Sequence, residues 1–234
     1  YRNLNEFRML HKASGDTFRI YACHLKANTG TDNEQIRASQ VDSLRERTDL
    51  LPSGTSFITC GDFNMYGANE PAYQKLMLVN SSDGHFVDPL SMLGIWNNST
   101  YAPYHTQSTR RRSFGNGATG GLDDRFDIMI NSTSVSSSKG RVRYIAGSLN
   151  PFGNDGQHYN DSINRIPNNA VTQAIANALH YASDHLPVTS TYLFYPSATT
   201  VSITLAVEGF YNINSGNLNI RDTITAYLRS SISP

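Results

Sequence analysis

The sequence predicts a layered domain in which strands alternate with helices, α/β or α+β in class. Three observations carry this. Short apolar runs near 17–25, 56–60 and 125–130 have the length and composition of strands. The stretch at about 33–51 instead steps its apolar residues by three and four, the period of a helix with one buried stripe. Finally, 38% of the 234 residues are hydrophobic, enough for a core. No run approaches the ~18 apolar residues of a membrane span, which excludes an integral membrane protein.

Basic and acidic side chains number 19 each and cancel, and charged residues make up 16%. Ordinary soluble proteins carry about 25%. Asn, Ser, Thr and Gly supply the missing polarity, which points to a secreted or cell-surface protein. A net charge of zero argues against a broadly basic nucleic-acid coat, although a local basic loop can hold phosphates. Cys23 and Cys60 lack metal-site spacing and lie in apolar runs, which predicts buried free thiols. The chain opens on Tyr1-Arg2-Asn3 with neither a Met nor a signal peptide, and its ends are expected to be cut.

Glu6-Phe7-Arg8-Met9-Leu10-His11 alternates, Ser14-Gly15-Asp16 carries turn chemistry, and Thr17 to Leu25 resumes a strand: a hairpin. The helix at about 33–51 aligns Val41, Leu44, Thr48 and Leu51 and stops at Pro52-Ser53-Gly54. Ser56 to Cys60 is a short strand ending at Gly61-Asp62-Phe63-Asn64. Glu70 to Leu78 is a second helix with Pro71 near its first turn. From about 97 to 122 there is no period, and so long an irregular stretch inside a domain is functional or disordered. Arg125 to Ile130 is a strand, followed by a Ser-rich turn and a strand near Arg141 to Ile145. A second polar loop spans about 147–169, and a short helix at Ala170 to Leu179 leads to a last strand ending near Tyr195. Beyond Pro196, Val201 to Val207 and Leu218 to Leu228 are Thr/Ile/Val-rich strands with no helix between them, the start of a β-rich module.

Three polar clusters sit at the ends of apolar strands: Cys23-His24-Leu25-Lys26, Gly61-Asp62-Phe63-Asn64 and Ser183-Asp184-His185-Leu186-Pro187. Strand ends in layered folds face the crevice where ligands bind. Two His with carboxylates and amides there suit metal-assisted hydrolysis, one imidazole deprotonating water while carboxylates hold a hard cation against a phosphate. Singly, each cluster has a plainer reading: a core or surface histidine, Asp/Asn turn chemistry, or a loop before an edge strand. Their order, with Arg125-Phe126-Asp127 between the last two, is harder to dismiss.

The sequence resembles the endonuclease/exonuclease/phosphatase superfamily, whose best-known member is deoxyribonuclease I. The resemblance rests on His24-Leu25-Lys26, Gly61 to Asn64, Arg125-Phe126-Asp127 and Ser183 to Val188, in order, over about 20–190. It implies a two-layered β-sandwich flanked by helices. Residues 1–195 then form the catalytic-type domain, and 196–234 a linker and the start of the β-rich module. It further implies that His185 is the general base, that Asp127 sets its tautomer, and that Asp184 holds a divalent cation, Mg²⁺ foremost with Mn²⁺ or Ca²⁺ as alternatives. Asp62 and Asn64 hold the attacked phosphate and nucleophile, with Asp62 a second metal ligand, and His24 contacts a phosphate oxygen. The family's first strand and its Gln-Glu metal ligand precede the His-x-Lys strand, and neither occurs in the 23 residues before His24. A fragment completed by a missing N-terminal segment of the same protein is therefore expected.

For the substrate, Arg110-Arg111-Arg112 either grips a DNA or RNA backbone or forms a solvated charge run. Tyr101, Tyr104 and His105 either stack on bases or pack the loop. Asp155, His158 and Asp161 read more readily as turn chemistry than as a metal site. The leading expectation is a secreted, bacterial-type, nonspecific endonuclease acting on nucleic acid. The rivals are a phosphatase or sphingomyelinase-like lipid hydrolase of the same family, and a non-catalytic binding domain lacking the metal-binding Glu.

Overall fold

The computed structural model describes residues 4–195 and the backbone of 211–212 and 217–218. The chain divides into two units, Tyr1–Ser197 and Ala198–Pro234. In the first, strands β1 (Asn5–His11) and β2 (Asp16–His24) form the expected hairpin, and helix α1 (Thr31–Asp49) leads to β3 (Phe57–Asp62). There follow α2 (Pro71–Met77), β4 (Phe86–Val87), a 3₁₀ turn at Ser99–Tyr104, β5 (Asp127–Ser132) and α3 (Thr133–Ser136). The remainder is β6 (Val142–Tyr144), β7 (Asn150–Pro151), α4 (Gln173–Ala182), β8 (Val188–Thr189) and β9 (Tyr192–Phe194). In the second unit, β10 (Tyr211–Asn212) pairs antiparallel with β11 (Asn217–Leu218). The strand expected at Val201 to Val207 and nearly all of the one at Leu218 to Leu228 lie outside the described residues.

The main sheet is mixed, ordered β1-β2-β3-β5-β4, with only the β2–β3 pair parallel. The fold is α+β, a mixed sheet with flanking helices. One sheet face, through Tyr21, Phe57, Ile128 and Ile130, packs with Val41, Leu44, Leu76 and Trp96 in the main core. The other face, through Phe18, Ile58 and Met129, packs on Val142, Tyr192 and Phe194 of the β6–β9 pair. The layer on this face is therefore the short two-stranded β6–β9 piece, and β7–β8 forms a further two-stranded sheet. The single last strand expected at the end of this unit is broken into β8 and β9.

Helix α1 buries Val41, Leu44 and Thr48 as its period predicts, but Leu51 lies beyond its end. The same stripe buries Arg37 and Arg45, which find partners there. Arg37 donates to Glu70 and to the carbonyls of Lys26 and Asn28. Arg45 Nη1 reaches the carbonyls of Lys75, Leu76 and Leu78 at 2.5, 3.2 and 2.9 Å, the groups left unpaired where α2 ends.

Strand β5 begins at Asp127 rather than Arg125, because Arg125 turns into the core. Its guanidinium grips Asp88 through two hydrogen bonds of 2.7 and 2.9 Å, beside the Trp96 ring. Cys23 is buried and Cys60 half-buried, both free thiols, and burial pushes the Cys23 pKa up to about 11. Among the described residues, no helix is long and apolar enough to cross a membrane.

Candidate active site

Sheet register brings three of the singled-out residues into one row. His24 pairs with Asp62 across β2–β3, and Asp62 with Asp127 across β3–β5. Gly61 permits this: its φ is +135°, and a Cβ there would run into the Cys23 carbonyl. The parallel ends therefore meet closely enough for His24 Nε2 to lie 3.2 Å from Asp62 Oδ2. Asn64, with φ +51°, turns the chain after β3; its N–H donates to Asp62 Oδ1 at 3.0 Å. The Asn64 amide itself is buried and donates to the Leu25 carbonyl, so it braces the turn rather than facing solvent.

His185 joins the row from the loop after α4. Its Nδ1 hydrogen-bonds Asp127 Oδ2 at 2.7 Å, and its Nε2 lies 4.0 Å from Asp62 Oδ2. Burial disfavours its imidazolium, but the hydrogen bond and charge of Asp127, then the charges of Asp62 and Asp184, outweigh that and raise its pKa. Burial also raises the pKa of Asp62, aided by Asp127 and opposed by the two imidazoles and the Asn64 N–H. The His24 side chain is 52% exposed and that of His185 23%, so one imidazole faces solvent while the other is sheltered.

Two contacting residues escaped sequence reasoning. Gln107 Nε2 donates to His185 Nε2 at 2.6 Å, consistent with the Nδ1–H tautomer that Asp127 favours. Thr106 Oγ1 accepts from the N–H groups of Phe126 and Asp127, which fixes the start of β5. Both lie in the stretch without period, where no sequence signal marks them.

Asp184 Oδ2 accepts the Ala118 N–H at 2.7 Å, and Thr109 N–H donates to the Asp184 carbonyl. Among the described residues, no three His, Cys, Asp or Glu side chains are placed to hold a metal ion. Asp62 lies between two imidazoles and Asp184 is engaged by a backbone amide. The side chains present do not assemble the Mg²⁺ site expected of Asp62 and Asp184.

The arginine run is also divided. Arg110 is buried, its guanidinium donating to the Phe114 carbonyl beside that ring, so it has no surface from which to grip a phosphate. Arg111 and Arg112 are exposed. His105 is fully buried against the Trp96 carbonyl, and Tyr101 and Tyr104 pack on the main core, so these rings brace the loop. His158 is buried between Asp155 and the Arg165 carbonyl while Asp161 pairs with Arg165, the turn chemistry expected.

No protein-family model matches the sequence, and no curated protein matches it. Solved structures do. The human Nocturnin catalytic domain with bound sulfate anion is 19% identical with a TM-score of 0.45, covering 81% of this chain and 52% of that one. The endonuclease/exonuclease/phosphatase from Beutenbergia cavernae is 14% identical with a TM-score of 0.44, covering 82% and 39%. D. rerio TDP2 complexed with single strand DNA product is 16% identical with a TM-score of 0.46, covering 76% and 57%. The chain spans about half the length of these structures.

Proposed function

We propose that the first unit hydrolyses phosphodiesters, with water as the nucleophile and His185 as its base, and that its substrate is nucleic acid. The observation that carries this is the Asp127–His185 pair set against Asp62 and His24 at the strand ends. Among the described residues, no Ser or Cys side chain hydrogen-bonds the His185 ring, which favours water over a covalent nucleophile.

In this reading Asp127 accepts the Nδ1–H and leaves Nε2 basic. Water displaces the Gln107 amide from Nε2, loses its proton there and adds to phosphorus. The bond from phosphorus to the leaving alkoxide breaks, and the alkoxide takes a proton from solvent. His24, open to solvent, donates to a non-bridging oxygen as charge builds on it. Asp62 orients His24 and stabilises the imidazolium that forms on His185. The Asn-, Ser-, Thr- and Gly-rich composition supports a secreted or surface-attached enzyme.

Nicking of supercoiled plasmid tests the proposal, with Mg²⁺, Mn²⁺ or Ca²⁺ and with EDTA. His185→Ala is expected to lower the rate by about 10²–10⁴-fold with thermal unfolding unchanged. Retention of most activity in that variant would remove His185 from the base role. Release of phosphate from a monoester, in place of nicking, would move the substrate class to small phosphate esters.

A further inference from the structure

We infer that a cleft beside this site, walled by Arg111, Arg112, Phe114, Ser162, His180 and Tyr181, binds the unpaired strand of a nucleic acid next to the phosphate that is hydrolysed. The inference rests on the phosphodiesterase reading and adds a separate site of recognition to it.

The cleft has a volume of about 550 Å³, within the range of small-ligand sites. Its two arginines differ from the others. Arg8, Arg19, Arg37, Arg45, Arg47, Arg125, Arg141 and Arg165 each have a carboxylate partner, and Arg110 and Arg143 donate to backbone carbonyls. Arg111 and Arg112 alone among the described arginines leave their guanidinium groups without a side-chain or carbonyl partner. Unpaired guanidinium groups lining one cleft suit phosphate oxygens, which they can meet with two donors each.

Phe114 and Tyr181 supply the other half. They are 48% and 56% exposed and meet edge to face, centroids 5.2 Å apart at 70°. The His180 ring meets Tyr181 at 4.8 Å and 87°. Arg110 covers part of the Phe114 ring, but about half of each of Phe114 and Tyr181 is exposed, a surface on which a nucleobase can stack. A base reaches such a wall only when it is out of a duplex stack, so the geometry selects a single strand. The chain's zero net charge leaves attraction to this local pair of cations and to stacking.

Position ties the cleft to the chemistry. The segment carrying Arg111, Arg112 and Phe114 is anchored at one end by Thr109, which hydrogen-bonds the carbonyls of Ser183 and Asp184. At the other end the Ala118 N–H holds the Asp184 carboxylate. Tyr181 precedes His185 by four residues, so their Cα atoms lie within about 14 Å. A strand with its scissile phosphate at His185 places its neighbouring nucleotides in the cleft.

The test is fluorescence anisotropy of labelled oligothymidylate and oligouridylate on the full chain carrying His185→Ala, which prevents turnover. Arg111→Ala/Arg112→Ala in that background is expected to weaken binding at low salt by about tenfold or more. It should also reduce the slope of log affinity against log salt by about 1.4, the signature of two lost single-strand phosphate contacts. Arg111→Lys/Arg112→Lys should keep most of the slope. Phe114→Leu/Tyr181→Leu should weaken binding about tenfold with the slope unchanged. Thermal unfolding identifies any variant that fails to fold, and the Lys pair keeps the test decisive if the Ala pair does.

Unchanged affinity and slope in the Ala pair would overturn the inference. So would duplex DNA binding as tightly as the single strand, or polyglutamate competing as well as either oligonucleotide. The readout needs no hydrolysis. A chain that binds as described yet cleaves neither the oligonucleotides nor plasmid refutes the phosphodiesterase reading alone, whereas cleavage with unaltered binding in every variant refutes the cleft alone.

Discussion

The row His24–Asp62–Asp127 and the loop facing it are two halves of one site held by different means. The row is held by backbone ladders: three strands in fixed register set three side chains at one level. The loop from His105 to Asp124 has almost no ladder. It is pinned at single points, by Gln107 bridging to both Asp124 and His185, by Thr106 on β5, and by Thr109 and Ala118 around Asp184. Register errors in the row would turn every side chain to the other face, so hydrophobic alternation protects it. No periodic pattern protects the loop, and each of its contacts stands or falls alone.

If this contrast is right, damage beneath the row should spread further than damage in the loop. The largest effect is expected from Arg125→Met, which leaves Asp88 buried without its cation. A loss of about 3–5 kcal/mol in urea unfolding is expected, with Arg125→Met/Asp88→Leu recovering much of it. An equal loss in the double variant would assign the effect to packing on Trp96 rather than to the charge.

Asp124 sits where loop meets strand, and burial followed by the charge of Asp123 raises its pKa from 3.8 to about 7. The unfolded chain releases that proton first, so the folded state binds more protons between those values and loses stability as pH rises through them. The penalty is at most about 4 kcal/mol. Asp124→Asn should flatten this dependence, narrowing the stability difference between acidic and mildly alkaline buffer. An unchanged slope in urea titrations would show that Asp124 is ionised freely.

The smallest effect is expected from Gln107→Ala. Its amide stabilises the neutral imidazole of His185, so its removal favours protonation. The acidic limb of the pH–rate profile should move up by about half a pH unit, with stability little changed. A limb that stays in place would leave Gln107 as a loop brace only.

The same contrast explains what could be read from the sequence. His24, Asp62 and Asp127 lie at the ends of apolar runs whose strand character is evident, so their convergence follows from the layered class. Asp127–His185 adds a contact between residues 58 positions apart, and the motif resemblance, not periodicity, pointed to it. Gln107 and Thr106 were illegible because a residue in an aperiodic loop carries no signal of where it points. Adjacency misled at Arg110: three neighbouring arginines read as one surface, but the burial of the first beside Phe114 separates it from the other two.

Arg45 makes one helix depend on another. The seven residues of α2 are too few to form a stable helix alone, and its last carbonyls are closed by a side chain from α1. Helix α2 is therefore closed by α1 rather than by its own residues, and loss of the single Arg45 guanidinium would open the end of a helix to which that residue does not belong.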